Sequence, residues 1–421
     1  MTTAHDAPES QGFRLSQLIY DTRYRSLTIQ VVVFFIVMAF VGWLVDNTIQ
    51  NLSALGKDFN FSFLSQRAGY DIGNAIIPYN NDMTHGRALL VGLINTLWIS
   101  FLGCVAATII GIFVGVLRLS KNWLVARLMT VYVEVFRNIP VLLWILVAIA
   151  LLTEAAPAPN AYKINPTTGE ASASMILDSI AFTNRYTAIP SIHFDRSLGV
   201  IDTALAPISL NVLAIVALLI ASLWVNKRVL THAANMQEAT GVRPTTWWKS
   251  ALILIVPMAA LLFALGFNPD EPVLQGFNFK NGTNVSNSFV ALWLGLTLYT
   301  AAFIAEIVRA GILAISKGQT EAAYALGLRP NRTMNLVILP QALRVIIPPL
   351  ISQYLNLTKN SSLAIAVGYL ELRGTLGGIT LNQTGRELEA ISLMMLIYLA
   401  ISLSISGVMN VYNNRVKLKE R

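Results

Sequence analysis

Long apolar runs separated by polar segments dominate this chain. Eight runs come close to the length of about 20 apolar residues that a helix needs to cross the hydrocarbon core of a membrane. The predicted spans are 27–45, 88–117, 130–152, 208–225, 250–267, 288–314, 336–358 and 389–412. The pattern therefore predicts an all-α polytopic membrane protein with about eight transmembrane helices.

Lys and Arg are distributed unevenly among the polar segments. An even number of spans puts both termini on one side of the membrane. If that side is the cytoplasm, the inside segments carry Lys and Arg at more than twice the density of the outside segments. Positive-inside bias then predicts cytoplasmic termini and places segment 315–335 on the cytoplasmic face. The same bias explains the net charge of +8, so no nucleic-acid partner is predicted.

The composition excludes several kinds of chemistry. The chain is 55% hydrophobic and 12% charged, and its single cysteine, Cys104, leaves no basis for a disulfide framework or a zinc site. The four histidines are scattered along the sequence, and no GxxxxGK[ST] motif is present. We therefore predict no cofactor, no metal and no catalytic residue on this chain, and we expect any energy source to lie on a partner.

Segment 315–335 has the features of a short capped helix. Thr320 is predicted as the N-cap, with Glu321 at the positive end of the helix dipole. Gly327 suits a left-handed stop, and Pro330 prevents continuation of the helix. Small side chains at Ala322 and Ala323 are expected on the surface, where they let another protein approach closely. The segment is therefore predicted to be a docking element.

The same segment carries a recognisable motif. It comprises Glu321-Ala322-Ala323, Gly327, Val337 and Leu339-Pro340, and it resembles the signature of permease subunits of ABC importers, with Val337 at the usual isoleucine. Three further segments resemble the polar amino-acid branch of that family: 132–140, 305–309 and 359–363. The length and extra spans are similar to the Q-type permease of general L-amino-acid importers. The resemblance covers roughly residues 60–415.

The resemblance implies a five-helix permease core with additional peripheral helices. The core spans are 88–117, 130–152, 288–314, 336–358 and 389–412. The expected organisation is a cytoplasmic tail (1–26), an extra span with a periplasmic loop (27–87), the first part of the core (88–152), an insertion with periplasmic loops and two peripheral spans (153–287), the second part of the core (288–412) and a basic cytoplasmic tail (413–421). The insertion loops either dock a soluble partner or cap the bundle.

The resemblance also implies partners and coupling residues. It predicts a separate ABC ATPase dimer that binds ATP and Mg at the cytoplasmic face of the bacterial inner membrane. A periplasmic amino-acid-binding protein, a second related permease (a heterodimer rather than a homodimer), membrane lipid and an L-amino-acid substrate complete the set. The ATPase-coupling residues would be Glu321, Ala322, Ala323, Gly327, Leu339 and Pro340.

Two Glu-x-x-Arg pairs occur in core spans, Glu134 with Arg137 and Glu306 with Arg309. A spacing of three places each pair on one helical face within ion-pairing reach. A charge in hydrocarbon costs at least about 2.5 kcal/mol, so all four side chains are expected to face the bundle interior or the inner interface. They either lock helix rotation or line a translocation pathway.

Two further groups are candidates for the pathway. Pro140 either breaks its helix and exposes backbone groups, or makes an ordinary kink, and Pro348-Pro349 is expected to break the span 336–358 likewise. The run from Lys359 to Ser362 either binds a carboxylate or caps a helix end. Whether segment 364–388 re-enters the membrane is left open. The pathway candidates are Glu134, Arg137, Asn138, Pro140, Glu306, Arg309, Lys359, Asn360, Ser361 and Ser362.

Small residues recur every four positions in the second span. This ladder of Gly103, Ala107, Gly111 and Gly115 lets a neighbouring backbone approach closely, within the bundle or across a dimer.

Two other classes of protein were weighed. An ion-coupled secondary amino-acid transporter would need ionisable groups near the membrane midplane and an internal repeat, and only the doubled Glu-x-x-Arg is repeated. A membrane enzyme would need a nucleophile–base pair or a metal constellation, which the sequence does not suggest.

Overall fold

The computed structural model describes residues 22–54, 56, 59–164 and 170–416. The chain forms two compact units, 1–62 and 63–421. The first contains helix α1 (Thr22–Ala54), which is longer than the predicted span 27–45. Most of the two predicted tails, 1–26 and 413–421, lies outside the described residues, and their described parts are helical.

Four long helices in the second unit correspond to predicted core spans. They are α2 (His85–Leu117), α7 (Asn287–Leu313), α10 (Leu339–Asn360) and α13 (Glu387–Val416). Within the described ranges, seven helices are long and apolar enough to cross a membrane, or eight when one bent pair is counted as a span. The predicted polytopic all-α class is confirmed.

The bent pair replaces the predicted single span 130–152. Helix α3 (Trp123–Asn138) ends before Ile139-Pro140, and α4 (Val141–Ala150) follows, continued by a π turn at Leu151–Ala155. The two axes differ by 103°. The alternative of an ordinary kink is therefore wrong, because Ile139 and Pro140 both adopt extended backbone.

Helices α2 and α7 form the centre of the core. The small-residue ladder of α2 makes this possible, since a Cβ on Gly111 would lie 2.6 Å from the Ile304 side chain. Gly103 lies against Leu357 of α10 in the same way, with a Cβ distance of 3.1 Å. The ladder therefore packs inside the bundle of this chain. The largest side chains sealed into this core include Ile99, Ile145, Leu292, Leu296, Ile304 and Leu357.

Helix α10 is continuous through Pro348-Pro349, so the predicted break there is wrong. After Asn360 the chain instead changes to irregular turns. A 3-10 helix (Ser361–Val367) is followed by α11 (Leu372–Gly374), a π turn (Thr375–Thr380) and α12 (Leu381–Thr384). These turns pack against α2 and α13.

Two helices stand apart from the core, α5 (Leu210–Thr240) and α6 (Trp247–Ala264). They pack against each other, and most of their apolar side chains are exposed, as suits helices that face lipid. Helix α5 continues 15 residues beyond the predicted end at 225, and α6 ends three residues before the predicted 267.

The two loops predicted outside the membrane meet in small β-sheets. Strands β1 (Ala181–Phe182), β2 (Tyr186–Ile189), β3 (Ser191–Phe194), β4 (Val200–Asp202) and β5 (Pro207–Ser209) precede α5. Strands β6 (Phe267–Asp270), β7 (Val273–Gln275), β8 (Asn278–Lys280) and β9 (Thr283–Ser286) follow α6. All pairings are antiparallel, in sheets ordered β1-β2-β9, β3-β6, β4-β5 and β7-β8. Strands β2–β9 and β3–β6 join the two loops into one sub-structure, which pattern reasoning did not predict.

Candidate functional site

The predicted docking helix is α8 (Lys317–Ala325), between α7 and α10. It begins one turn earlier than expected, because Ser316 rather than Thr320 has the extended backbone of an N-cap. Thr320 is a helical residue, so its assignment as the N-cap is wrong. Glu321 consequently lies in the middle of the helix and is exposed.

The end of α8 is a glycine-terminated cap. Gly327 has a φ of +75°, its N–H donates to the Tyr324 carbonyl at 2.9 Å, and the Leu328 N–H donates to the Ala323 carbonyl at 3.1 Å. These two bonds form a Schellman motif, which requires a left-handed residue after the helix. The predicted role of Gly327 in the turn is confirmed.

The surface of α8 is partly apolar. Ala322 is exposed, but Ala323 is only 3% exposed and packs inward, so the prediction that both alanines lie on the surface is wrong for Ala323. Tyr324 is 49% exposed and Leu326 is 82% exposed. Exposed apolar side chains therefore lie on the same short helix as the exposed Glu321 carboxylate.

The chain returns from α8 to the core through a compact connection. Pro330 starts α9 (Pro330–Thr333), which continues as a π turn (Met334–Ile338) into α10. Leu339 and Pro340 follow the π turn directly, so the proline lies where the helix changes from π to α hydrogen bonding. The Gln341 amide donates to Gln319 Oε1 at 3.3 Å, which links α10 directly to α8.

A charged cluster joins α2 and α7 near the end of the bundle that carries α8. Arg309 Nη2 donates to Glu306 Oε1 at 2.6 Å, so the predicted pair is present. Arg118, at the end of α2, binds the other carboxylate oxygen of Glu306. The Arg118 side chain is only 8% exposed, against 32% for Arg309. The cluster therefore fastens one core helix to another.

The second predicted pair does not form. In the part of the chain that the structure describes, no ion pair joins Glu134 to Arg137, and both residues are exposed. Arg137 instead lies over the Phe303 ring of α7, 5.3 Å from its centroid. Glu134 and Arg137 therefore do not face the interior of this chain's bundle, and their position near the inner interface stays a prediction.

Aromatic contacts hold the bend between α3 and α4. Phe136 stacks on Trp144 with centroids 4.1 Å apart, and the Tyr132 hydroxyl donates to the Leu298 carbonyl of α7 at 2.7 Å. Asn138 and Pro140 are exposed beside the bend.

The run from Lys359 to Ser362 ends α10. The Ser361 hydroxyl donates to the Thr358 carbonyl at 2.7 Å, and the Ser362 hydroxyl donates to the Lys359 carbonyl at 2.8 Å. Both hydroxyls thus satisfy backbone at the helix end, which supports the capping alternative. Lys359 is exposed and Asn360 is half-buried.

Sequence reasoning missed three polar residues with structural contacts. In the sequence, Arg118 contributes only to the positive charge of a predicted cytoplasmic segment, although it comes shortly after the small-residue ladder. Glu371 is fully buried. The sequence feature that could have identified it is a lone carboxylate in a glycine-rich apolar segment. Asn287, 4% exposed, begins α7 and bonds to Thr183 and Thr187 of the first outside loop and to the Leu152 carbonyl after α4. No local pattern identified it.

The fold and the site together define a polytopic membrane protein with a short exposed helix, α8, between two core helices. Residues 107–418 match the family model described as the binding-protein-dependent transport system inner membrane component, and the chain belongs to this family. It is a permease subunit of an ABC transporter, and ATP hydrolysis in such importers is the work of a separate subunit. The predicted class is confirmed, and the secondary-transporter alternative is not favoured.

Two relatives cover nearly all of this chain. The glutamate/glutamine/aspartate/asparagine transport system permease protein BztB of Rhodobacter capsulatus is 62% identical, with 100% of both chains covered. The general L-amino acid transport system permease protein AapQ of Rhizobium johnstonii is 43% identical over 97% of this chain and 96% of its own. Among solved structures, an amino acid ABC transporter crystallised with histidines gives a TM-score of 0.44 at 18% identity, covering 79% of this chain and 95% of that chain.

Proposed function

We propose that this chain translocates L-amino acids across the bacterial inner membrane, with both termini in the cytoplasm. Two lines of support meet here. The relatives that match the chain from end to end are named as permeases for acidic amino acids and their amides, or for L-amino acids in general. The density of Lys and Arg is higher on the side that carries α8.

The surface of α8 carries the proposal. Glu321 lies on an exposed helix next to Tyr324 and Leu326, and Leu326 leaves 82% of its area uncovered. An exposed charge beside exposed apolar area suits a partner that covers both. We assign this surface to a separate ABC ATPase dimer, which would bind ATP and Mg.

The connections of α8 suggest how such a partner acts on the core. Helix α7 passes into α8 through residues 314–316 alone, and Gln319 is hydrogen-bonded to Gln341 of α10. A displacement of α8 would therefore pull on α7 and α10 together. Because Glu306 of α7 also holds Arg118, helix α2 would follow. This is a rigid-body change between two states, which ATP binding on the partner biases.

We propose the remaining partners from the membership of the transporter family and from the exposed surfaces at the β-sheets, at α5 and α6, and at the bend between α3 and α4. A soluble amino-acid-binding protein would deliver substrate at the β-sheets, on the opposite face from α8. A second, related permease would complete a heterodimer, and lipid would surround α5 and α6. Glu134, Arg137, Asn138 and Pro140 are exposed at the bend, where they are accessible to the second permease or to substrate.

Reconstitution with the neighbouring subunits tests this function. The complex should be purified with its ATPase, its second permease and its binding protein, and ATP hydrolysis should be measured with each amino acid in turn. We expect stimulation by L-amino acids through the binding protein, and none with Glu321→Lys. A complex that assembles fully but ignores every amino acid would contradict the proposed substrate class.

A further inference from the structure

Residues 368–385, here called the gate segment, lie between two left-handed glycines. Gly368 has a φ of +72° and Gly385 a φ of +63°, and a Cβ on either would meet no atom within 4 Å. Both glycines are therefore needed for backbone freedom and not for space. Between them, Tyr369, Leu372 and Leu376 are at most 1% exposed. The segment is a packed plug between two glycines that hold left-handed backbone.

The gate segment is fitted closely onto α2. A Cβ on Gly92 would lie 2.1 Å from Thr375 Oγ1, so only glycine permits this crossing. One turn on, the Asn95 amide donates to the Leu370 carbonyl at 2.8 Å. The Leu372 N–H donates to the Thr96 hydroxyl at 3.0 Å. The first half of α2 thus carries a docking surface for this segment.

Glu371 is at the centre of these contacts and is 0% exposed. Its carboxylate accepts from the N–H groups of Arg373 at 2.9 Å and Gly374 at 3.0 Å. It also accepts from the Tyr398 hydroxyl of α13 at 2.8 Å. It lies 3.3 Å from the Thr96 hydroxyl of α2, whose single proton it shares with the Gly92 carbonyl at 2.9 Å. Among the ion pairs of the described residues, none involves Glu371. Every contact of this carboxylate uses it as an acceptor, and together they join three separate elements.

The far end of the gate segment has a tie of its own. Thr380, 1% exposed, lies 3.0 Å from His85 Nδ1 at the start of α2 and 3.4 Å from the Tyr70 hydroxyl. These contacts involve the first turns of α2, whereas Arg118 and α8 lie at its other end. The gate segment therefore sits at the end of the bundle opposite the proposed ATPase surface.

We propose that Glu371 is the positioning residue of a gate formed by residues 368–385, and that its bonds to Thr96 and Tyr398 hold this gate in place. This inference rests on the proposed transport function, because a gate has meaning only in a transporter. In one state Glu371 fastens the segment to α2 and α13. When α2 and α13 separate, the carboxylate loses one of its two hydroxyl partners and the segment turns about Gly368 and Gly385. The pathway then opens on the side where substrate arrives.

The test uses the complete reconstituted transporter with four variants. Glu371→Gln replaces one acceptor oxygen with an N–H₂ group that faces donors, and Thr96→Val removes the hydroxyl. Thr96→Ser keeps that hydroxyl, and Ser222→Ala removes a hydroxyl that is 5% exposed on α5, outside the core. Basal ATP hydrolysis, its stimulation by binding protein with amino acid, and KM and kcat for uptake are measured, with thermal unfolding of each complex as a control.

We expect Glu371→Gln and Thr96→Val to raise basal hydrolysis about tenfold, because the loss of a hydrogen bond between buried groups is large enough to shift a two-state equilibrium by that factor. Stimulation should fall correspondingly, while Thr96→Ser and Ser222→Ala stay near wild type. Unchanged basal hydrolysis in both test variants would overturn the proposal. An equal loss of complex assembly in Glu371→Gln and Thr96→Val would also overturn the proposal, because Glu371 would then serve folding alone. If only the complex with Glu371→Gln fails to assemble, the basal hydrolysis of the Thr96→Val complex decides whether the proposal holds. A wild-type complex without any amino-acid response would instead refute the transport function.

Discussion

Gly115 of α2 lies directly against the backbone of Ala305 in α7. A Cβ on Gly115 would be 2.7 Å from the Ala305 carbonyl oxygen and 2.9 Å from the Val308 Cβ. One contact is to backbone and the other is to a branched Cβ, so neither can move aside without moving α7. The relation explains why small residues recur along this face of α2.

Gly115→Ala should therefore separate the two helices and destabilise the protein by about 1–3 kcal/mol, the usual cost of overpacking. Thermal unfolding of the purified protein in detergent measures this. Gly407→Ala is the matched control, since a Cβ there meets nothing within 4 Å and alanine favours a helix. Equal melting temperatures for the two variants would contradict the close approach.

Gly327→Val should abolish amino-acid uptake, because a φ of +75° is strained for a β-branched residue and the cap of α8 would be lost. Gly327→Asn should keep most activity, since asparagine adopts the left-handed conformation more readily. No atom lies within 4 Å of a Cβ here, so any difference between the variants reflects backbone conformation. Uptake assays with matched membrane levels distinguish them. Loss of uptake in both would point to side-chain contact as the cause.

Arg118→Met should cost more stability than Arg309→Met. Removing Arg118 cuts a largely buried, charge-assisted hydrogen bond between α2 and α7, at about 1.5–3 kcal/mol, while Arg309 still pairs with Glu306. Removing Arg309 instead breaks a more exposed pair within α7, which contributes about 1 kcal/mol or less. The Arg118 side chain is 8% exposed and the Arg309 side chain 32%, so we expect the larger loss of stability from Arg118→Met. A double-mutant cycle with Glu306→Gln, measured by thermal unfolding, gives each coupling energy. The reverse order would show that Arg118 is not the main partner.

Asn287→Ala should loosen the β-sheets without unfolding the helical core. The Asn287 amide donates to the Thr183 carbonyl at 2.8 Å and to the Leu152 carbonyl at 3.3 Å, and its loss leaves these acceptors unpaired at about 1–3 kcal/mol. Limited proteolysis should cut the region 170–209 faster in the variant. Ser222→Ala, at a buried hydroxyl on α5, is a control that should digest like wild type.

The orientation can be tested with single cysteines in a Cys104→Ser background. Ser179, beside the β-sheets, is partly exposed, and Asn331, in α9, is exposed. In intact spheroplasts, a membrane-impermeant maleimide should label Ser179→Cys at once and Asn331→Cys only after permeabilisation. The opposite result would place α8 outside the cell and remove the basis for an ATPase contact.

Much of this protein was predictable from the sequence alone. Apolar length identified the long helices to within a few residues at most ends, because the cost of unpaired backbone groups in lipid forces helical spans. The motif around Glu321 and Gly327 located α8 and its cap, since left-handed backbone at a helix end favours glycine whatever lies around it. Glu306 and Arg309 pair as expected because a spacing of three is a local property of the helix.

Tertiary structure alone decided the rest. Glu134 and Arg137 have the same spacing, yet the chain breaks after Asn138 and Arg137 finds Phe303 instead. Pro348-Pro349 was expected to break a helix and does not, so the same residue type gave opposite outcomes in two places. Arg118 meets Glu306 across 188 positions, and Glu371 meets Thr96 across 275. Such contacts depend on which helix faces come together. The periodicity of apolar side chains identifies the buried face of a helix, but not the element against which that face packs.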